Sequence, residues 1–313
     1  MTIRVDDDWV ENKDANASGQ CVLNRKFLTN GNSKKGADVL SAAIARPKGG
    51  CPFSTPVCRE NCYFGTGQHL FHAERYEQNL KFTGLPEFVP TLSTEIVQFA
   101  EYNARGQVSV CVHEGGELYS KEYLQKWGEI IGETRHVGNL TYYIYTRSWQ
   151  VPEYKTALEH IAIDNKNVRI NLSTDRDLIA MKGVPSRIGD GLVTYLSVDD
   201  TDLPVTGVDL VFRNLRIRHS EPMEYLNGVL VCPYEAKLYI GLNKDGTPSL
   251  EKGKCKPIRC QECRICIDRS IAEWDAIKGR YTGTPGEEPS EIWNPVEQKD
   301  EVNEAELSKG EYI

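Results

Sequence analysis

Residues 107–148 read QVSVCVHEGGELYSKEYLQKWGEIIGETRHVGNLTYYIYTRS, and the architecture turns on this stretch. It opens on a β-branched run, QVSVCVHEGG (107–116), and passes into SKEYLQKWGEIIGET (120–134), whose apolar residues recur at helical spacing. A second β-rich run follows, NLTYYIYTRS (139–148). The alternation then continues through a helix, VPEYKTALEHIA (151–162), and a strand, NVRINLSTD (167–175). RDLIAMKG (176–183) comes next, then two more strand-like runs, LVTYLSVDD (192–200) and GVDLVFRNLRI (207–217). Strand and helix alternating at this period predict parallel strands joined by right-handed crossovers. The fold class is therefore α/β, a partial (β/α) barrel of about six parallel strands, and a doubly wound sheet fits nearly as well. In either architecture, function belongs at the carboxyl ends of the strands.

Working outward, EFVPTLSTEIVQFAEYNARG (87–106) and LFHAERYEQNLKF (70–82) carry helical spacing, the first ending at Gly106. VLSAAIARPKGG (39–50) reads as a strand or turn, and QCVLNRKFL (20–28) as one short strand. The chain divides into a polar N-terminal segment (1–37), a β/α domain (38–230), a cysteine-rich appendage (231–280) and an acidic flexible tail (281–313). A short helix is expected at RSIAEWDAIKG (269–279), inside the appendage. The tail signals are proline, glycine and acid with few apolar residues.

The charge is concentrated in that tail. Pro285 to Ile313 holds nine Asp or Glu and two Lys, a net of −7 against −8 for the whole chain, so the remainder is near −1. Nonspecific nucleic-acid binding asks for a basic surface and is disfavoured as the main task. Arg213, Arg216 and Arg218 form a local basic strip suited to a carboxylate or phosphate, although most such charges line a solvated face. No apolar run approaches the roughly 18–20 residues of a membrane span. The opening MTIRVDDDWVENKD is too acidic for a secretory or transit signal, so no membrane partner and a cytoplasmic location are expected.

Ten cysteines in such a chain read first as metal ligands or catalytic groups. Cys21 and Cys111 stand alone. Cys51, Cys58 and Cys62 form a C-x6-C-x3-C trio, followed by Tyr63. Structural zinc sites usually pair CxxC with a second pair, and the trio has none. Three close thiolates suit a [4Fe–4S] cube with one iron left open. A Cys3His zinc knuckle completed by His69 or His72 is the alternative. Cys232, Cys255, Cys260, Cys263 and Cys266 form a second group, whose C-x2-C-x2-C core is the packing of a cubane ligand set. Zinc held by Cys255, Cys260, Cys263 and Cys266 is the alternative there. So one [4Fe–4S] cluster, and a second in the appendage, are expected as cofactors.

At the strand ends, Gly115 and Gly116 let backbone approach a ligand, and Glu117 can accept from an ammonium group; a plain strand–helix turn explains them as well. Position 117 is Glu, so His113 and Glu114 do not open a zinc-peptidase H-E-x-x-H. Ser173, Thr174 and Asp175 could meet a ribose or an amino acid, or cap the next helix. Thr146 and Arg147 sit at the corresponding end of the preceding strand.

An N-terminal cysteine trio, a strand ending in Gly-Gly-Glu and a strand ending in Ser near an Asp resemble the radical S-adenosylmethionine enzymes. That resemblance implies Cys51, Cys58 and Cys62 as cluster ligands, Gly115, Gly116 and Glu117 as the site for the cofactor's amino group, and Ser173 as a further cofactor contact. The usual trio in that superfamily is C-x3-C-x2-C with an aromatic before the last cysteine, and this chain departs from it. ARPKGGCPFSTPVCRENCY, GELYSKEYLQKWGEI, YYIYTRSW and INLSTD, followed by the terminal cysteines, are similar to the bacteriophage gene-product-88 family of mycobacteriophages. This implies a phage origin and a host cytoplasm. The leading expectation is a radical S-adenosylmethionine-type iron–sulfur enzyme with an electron donor and an unassigned substrate, whether nucleotide, nucleic acid or host protein. The alternatives are a non-enzymatic zinc or iron–sulfur interaction protein, or a [4Fe–4S] enzyme that does not use S-adenosylmethionine.

Overall fold

A computed structural model describes residues 27–30, 35–44, 51–62, 64, 72–104, 106–199, 206–214, 225–235, 239–240 and 256–278. Among them the strands are β1 (Thr29–Asn30), β2 (Val39–Ala43), β3 (Val108–Gly115), β4 (Leu140–Thr146), β5 (Val168–Thr174), β6 (Val193–Ser197), β7 (Leu210–Arg213), β8 (Tyr225–Leu226), β9 (Val229–Val231), β10 (Tyr239–Ile240) and β11 (Lys256–Pro257). The helices are α1 (Pro56–Glu60), α2 (Ala73–Phe82), α3 (Phe88–Tyr102), α4 (Lys121–Thr134), α5 (Pro152–Asp164), α6 (Arg176–Lys182), α7 (Cys260–Cys263) and α8 (Ile271–Lys278). The readings that fall on Cys21, Tyr63, His69, Arg216, Arg218, Cys255 and residues 281–313 lie outside the described residues.

β1 to β9 form one open sheet in the order β1-β2-β3-β4-β5-β6-β7-β9-β8. Six parallel pairings run from β2 through β7 to β9, linking seven parallel strands, with antiparallel β1 and β8 at the edges. The sequence predicts about six; β9, which straddles the predicted boundary between the β/α domain and the appendage, supplies the extra one. The seven parallel strands follow chain order with no reversal, so the doubly wound alternative, which needs a switch point among them, does not hold. β10 and β11 pair separately.

The helices form where the spacing predicts, and caps fix their ends. Ser120 accepts from the Tyr123 N–H at 3.1 Å to start α4, which buries Tyr123, Leu124, Trp127, Ile130 and Ile131 on one face. Pro152 sits in the first turn of α5. α3 ends at Tyr102 rather than at Gly106, because the Asn103 side chain donates to the Phe99 carbonyl at 2.8 Å and closes the last turn. α3 packs on α4 and α4 on α5. These helices cover one face of the sheet in a single apolar cluster with Val110, Val112, Tyr142, Ile144, Ile170 and Leu172.

Residues of opposite parity on the same strands meet the C-terminal segment instead. Cys111 and Tyr143 pack with Val39 and Ile267. Leu192, Leu210 and Leu230 pack with Ile258, Ile265 and Trp274. No helix among the described residues is long and apolar enough to cross a membrane.

Candidate functional site

The carboxyl ends of the parallel strands open on a cavity of about 770 Å³. Gly115, Gly116 and Glu117 line it from the end of β3, Arg147 from β4, Ser173 from β5 and Arg213 from β7. Cys51, Cys58 and Cys62 line it, and so do Cys232, Cys260, Cys263 and Cys266. The two cysteine groups, 170 residues apart between Cys62 and Cys232 by numbering, therefore face one space. None of the seven is in a disulfide. His72, weighed as a zinc ligand, lines the same cavity.

The trio is held in a short turn that its own sequence encodes. Thr55 caps α1 by accepting from the Cys58 N–H at 3.0 Å, and Pro56 follows in the first helical turn. Thr55 also donates to Asp175 Oδ2 at 2.6 Å. The same Oδ2 accepts from the Arg147 guanidinium at 2.5 Å, while Oδ1 accepts from the Leu178 N–H at 3.0 Å. Asp175 is therefore the cap of α6 and the partner of a buried arginine at once. Burial alone would raise its pKa, but Arg147, Thr55 and the Leu178 N–H outweigh it and hold the carboxyl below its usual range. Phe53 and Asn61 add neutral ties, to Gln150 at 3.0 Å and to Asn214 at 2.5 Å.

Glu117 lines the cavity and accepts from three neighbouring donors, one of them on Oε2. Oε1 accepts from the Leu118 N–H at 2.8 Å and from Thr146 Oγ1 at 2.6 Å, and Oε2 accepts from the Arg147 N–H at 2.7 Å. Burial raises its pKa, and these donors pull the other way. The carboxylate thus locks the end of β3 to the end of β4. Both glycines before it have a steric reason. A Cβ on Gly115 would lie 2.3 Å from the Phe64 ring, and Gly116 has φ +108°, a region that favours glycine. Ser173 leaves its carbonyl to the Trp149 indole N–H at 2.9 Å.

The second group lies against the interior residues of β5. Arg169 donates to the carbonyls of Ile265 and Arg269 at 2.6 and 2.8 Å, and Asn171 Nδ2 donates to the Cys266 carbonyl at 2.9 Å. Arg269 in turn donates to the Cys263 carbonyl at 2.6 Å. Arg264 takes φ +59°, which turns the chain between Cys263 and Cys266.

Burial pushes the thiol pKa of Cys51, Cys58 and Cys263 up, with neighbouring cysteines adding in the same direction; Arg147 lowers the first two in part. A bound metal would take these groups as thiolates, with their protons released. Among the described residues no three of His, Cys, Asp and Glu meet at a point that would hold a single metal ion.

Thr55, Arg169 and Asn171 were not singled out from sequence. Thr-Pro before a short helix is a readable start signal at Thr55. No local signal marks Arg169 and Asn171, because both act on carbonyls about 95 residues away. A family model described as gene product 88 matches residues 22–269, a span that includes both cysteine groups and stops short of the acidic tail. No curated protein and no solved structure matches the chain.

Proposed function

The chain belongs to the gene product 88 family, and we propose that it is an iron–sulfur enzyme of radical S-adenosylmethionine type working in a host cytoplasm. The reading takes the sheet as a partial (β/α) barrel whose mouth is the cavity. One observation carries it: both cysteine groups open on that single cavity at the carboxyl edge of the parallel sheet. A zinc ion asks four ligands to converge on one point. A cube takes each thiolate through a different iron, so its ligands surround a body. The thiols of each group lie near enough to act on one another, as Cys58 and Cys62 do on Cys51, which a cube and a zinc ion both ask for; the C-x2-C-x2-C spacing and the shared cavity favour the cube.

In this reading Cys51, Cys58 and Cys62 hold a [4Fe–4S] cluster with one iron open. Cys260, Cys263 and Cys266 hold a second cluster, with Cys232, which lines the cavity, or Cys255 as the fourth ligand. Bound at the trio, the cluster would supply the electron for reductive cleavage of S-adenosylmethionine. The chain's own residues orient and enclose. Gly115 and Gly116 present backbone at the β3 end, where the cofactor's amino group would be met. Glu117 would meet the same amino group through Oε2, which has a single donor, while its three bonds stiffen the turn. Ser173 offers its hydroxyl from the β5 end. The substrate would lie between the two cysteine groups, where the enclosing C-terminal segment excludes water.

The test is iron, sulfide and zinc content of the anaerobically purified full-length chain, beside the variant Cys51→Ala/Cys58→Ala/Cys62→Ala. Two cubes give about eight irons, falling to about four in the variant. Zinc at both groups with no sulfide would end the enzyme reading and leave a metal-stapled interaction protein.

A further inference from the structure

β5 and its cap touch both cysteine groups from a single strand. At its start, Arg169 and Asn171 point to the interior face and donate to the carbonyls of Ile265, Arg269 and Cys266. Just past its end, Asp175 binds Thr55, whose hydroxyl oxygen accepts from the Cys58 N–H. Arg169 is 8% exposed, and Asn171 and Asp175 are 0% exposed. The bonds from Arg169 to Ile265 and from Thr55 to Asp175 are buried, and those to Arg269 and Cys266 are part-buried. All four span more than 90 residues of chain, so they have no local reason to form. Asn171 is doubly tied: its Oδ1 accepts from the Leu192 N–H at 3.2 Å, which fixes the amide so that Nδ2 faces Cys266.

We infer that β5 is the common mount of the two cysteine groups: Asp175 is the positioning residue of the trio, acting through Thr55, and Arg169 with Asn171 are those of the C-terminal group. A parallel strand inside a sheet is the stiffest element available, being paired on both sides, here with β4 and β6. Mounting both groups on it fixes their separation across the cavity while leaving each attached by its own contacts. This inference deepens the proposed function by assigning how the two metal sites would be held in mutual register, but its test does not need iron.

The two attachments should be separable. Full-length protein as purified is pulse-alkylated with iodoacetamide under native conditions, and modification is followed at each cysteine by peptide mass spectrometry. Thr55→Val removes the hydroxyl on the trio side with little change of shape, and Arg169→Met removes the donors on the other side while keeping an apolar stem. Thr55→Val should speed alkylation at Cys58 about tenfold, the scale of one lost hydrogen bond to a charged group, with Cys260 and Cys266 at wild-type rates. Arg169→Met should do the reverse. Thr55→Ser and Arg169→Lys should restore wild-type rates. If Arg169→Met does not fold, Asn171→Asp keeps the oxygen facing Leu192, removes the donor to Cys266 and takes its place. Acceleration of both groups together in each variant, or of neither, would overturn the common mount. Iron content measured on the same samples judges the cluster reading separately, so failure of one is not failure of the other.

Discussion

On β4 and β5, neighbouring residues serve two different environments. Tyr142, Ile144, Ile170 and Leu172 face the helices and join one continuous apolar cluster. Tyr143, Tyr145, Arg169, Asn171 and Ser173 face the other way, toward the cysteines and the cavity. Period-two alternation makes this division possible. The helix face holds itself together by close packing, which is non-directional and tolerates exchange among apolar residues of similar volume. The cavity face depends on directional bonds, each with one donor and one acceptor. One face therefore confers stability in bulk, and the other specifies where a few groups sit.

The sharpest way to break that division is to damage each face and compare outcomes. Trp127 is fully buried beside Phe88 and Tyr123. Trp127→Ala should cost about 3–5 kcal/mol in a denaturant titration, while native-state alkylation rates at Cys58 and Cys266 keep their ratio. On the cavity face, Asp175→Ala leaves Arg147 buried without its carboxylate and should cost a comparable ~3–5 kcal/mol. Here the Cys58 rate should rise out of proportion. Equal disturbance of both cysteine groups by Trp127→Ala would mean the faces are not separable.

Acid separates them by smaller steps. Burial lowers the His113 pKa to about 3, and its ring contacts Tyr123 and Trp127 on the helix side. The unfolded chain binds this proton near the ordinary 6.5 and the folded one does not. The contribution is therefore complete above about 6.5 and is lost as pH falls toward 3, at up to ~1.4 kcal/mol per pH unit. Asp175, also held below its ordinary value, gives stability that is present above about 3.8 and lost at lower pH. Stability against pH should thus fall in two stages, and His113→Phe should flatten only the first. A single fall confined below pH 4 in the unmodified protein would contradict the burial of an uncharged His113.

Gly115→Ala comes next, because its methyl would meet the Phe64 ring at 2.3 Å. The expected cost is about 1–3 kcal/mol by thermal denaturation, the range of an overpacked site. Smallest of all is Lys155→Ala on the exposed side of α5. It removes an i,i+4 pair with Glu159 and should change stability by less than about 0.5 kcal/mol. A larger loss would mean that the outer helix surface contributes more than exposed pairs do.

Much of the fold was legible because its signals are local. Helical spacing over 120–134, the Ser120 cap and the β-branched runs at 107–116 and 139–148 all act within a few residues of themselves. Their errors were local too: α3 ends at Tyr102 instead of Gly106, because the side-chain amide of its cap, Asn103, closes the turn first. The site was half legible. The cysteine spacings, Gly115–Gly116 and Asp175 as a helix cap could be read from neighbours in sequence. That Glu117 spends its carboxylate on Thr146, Leu118 and Arg147 could not, since two of those donors arrive from the next strand.

By itself the sequence determined the α/β class, the strand–helix alternation and the crowding of thiols into two groups. Each of these follows from periodicity or spacing along the chain. Only the tertiary structure decided that the parallel strands run in chain order without reversal, and that both thiol groups face one cavity. It also decided that a single strand, β5, carries the anchors of both. Those are facts about residues far apart in sequence. They become neighbours only when parallel pairing stacks the strand ends side by side, and no local pattern encodes which carbonyl a distant arginine will find.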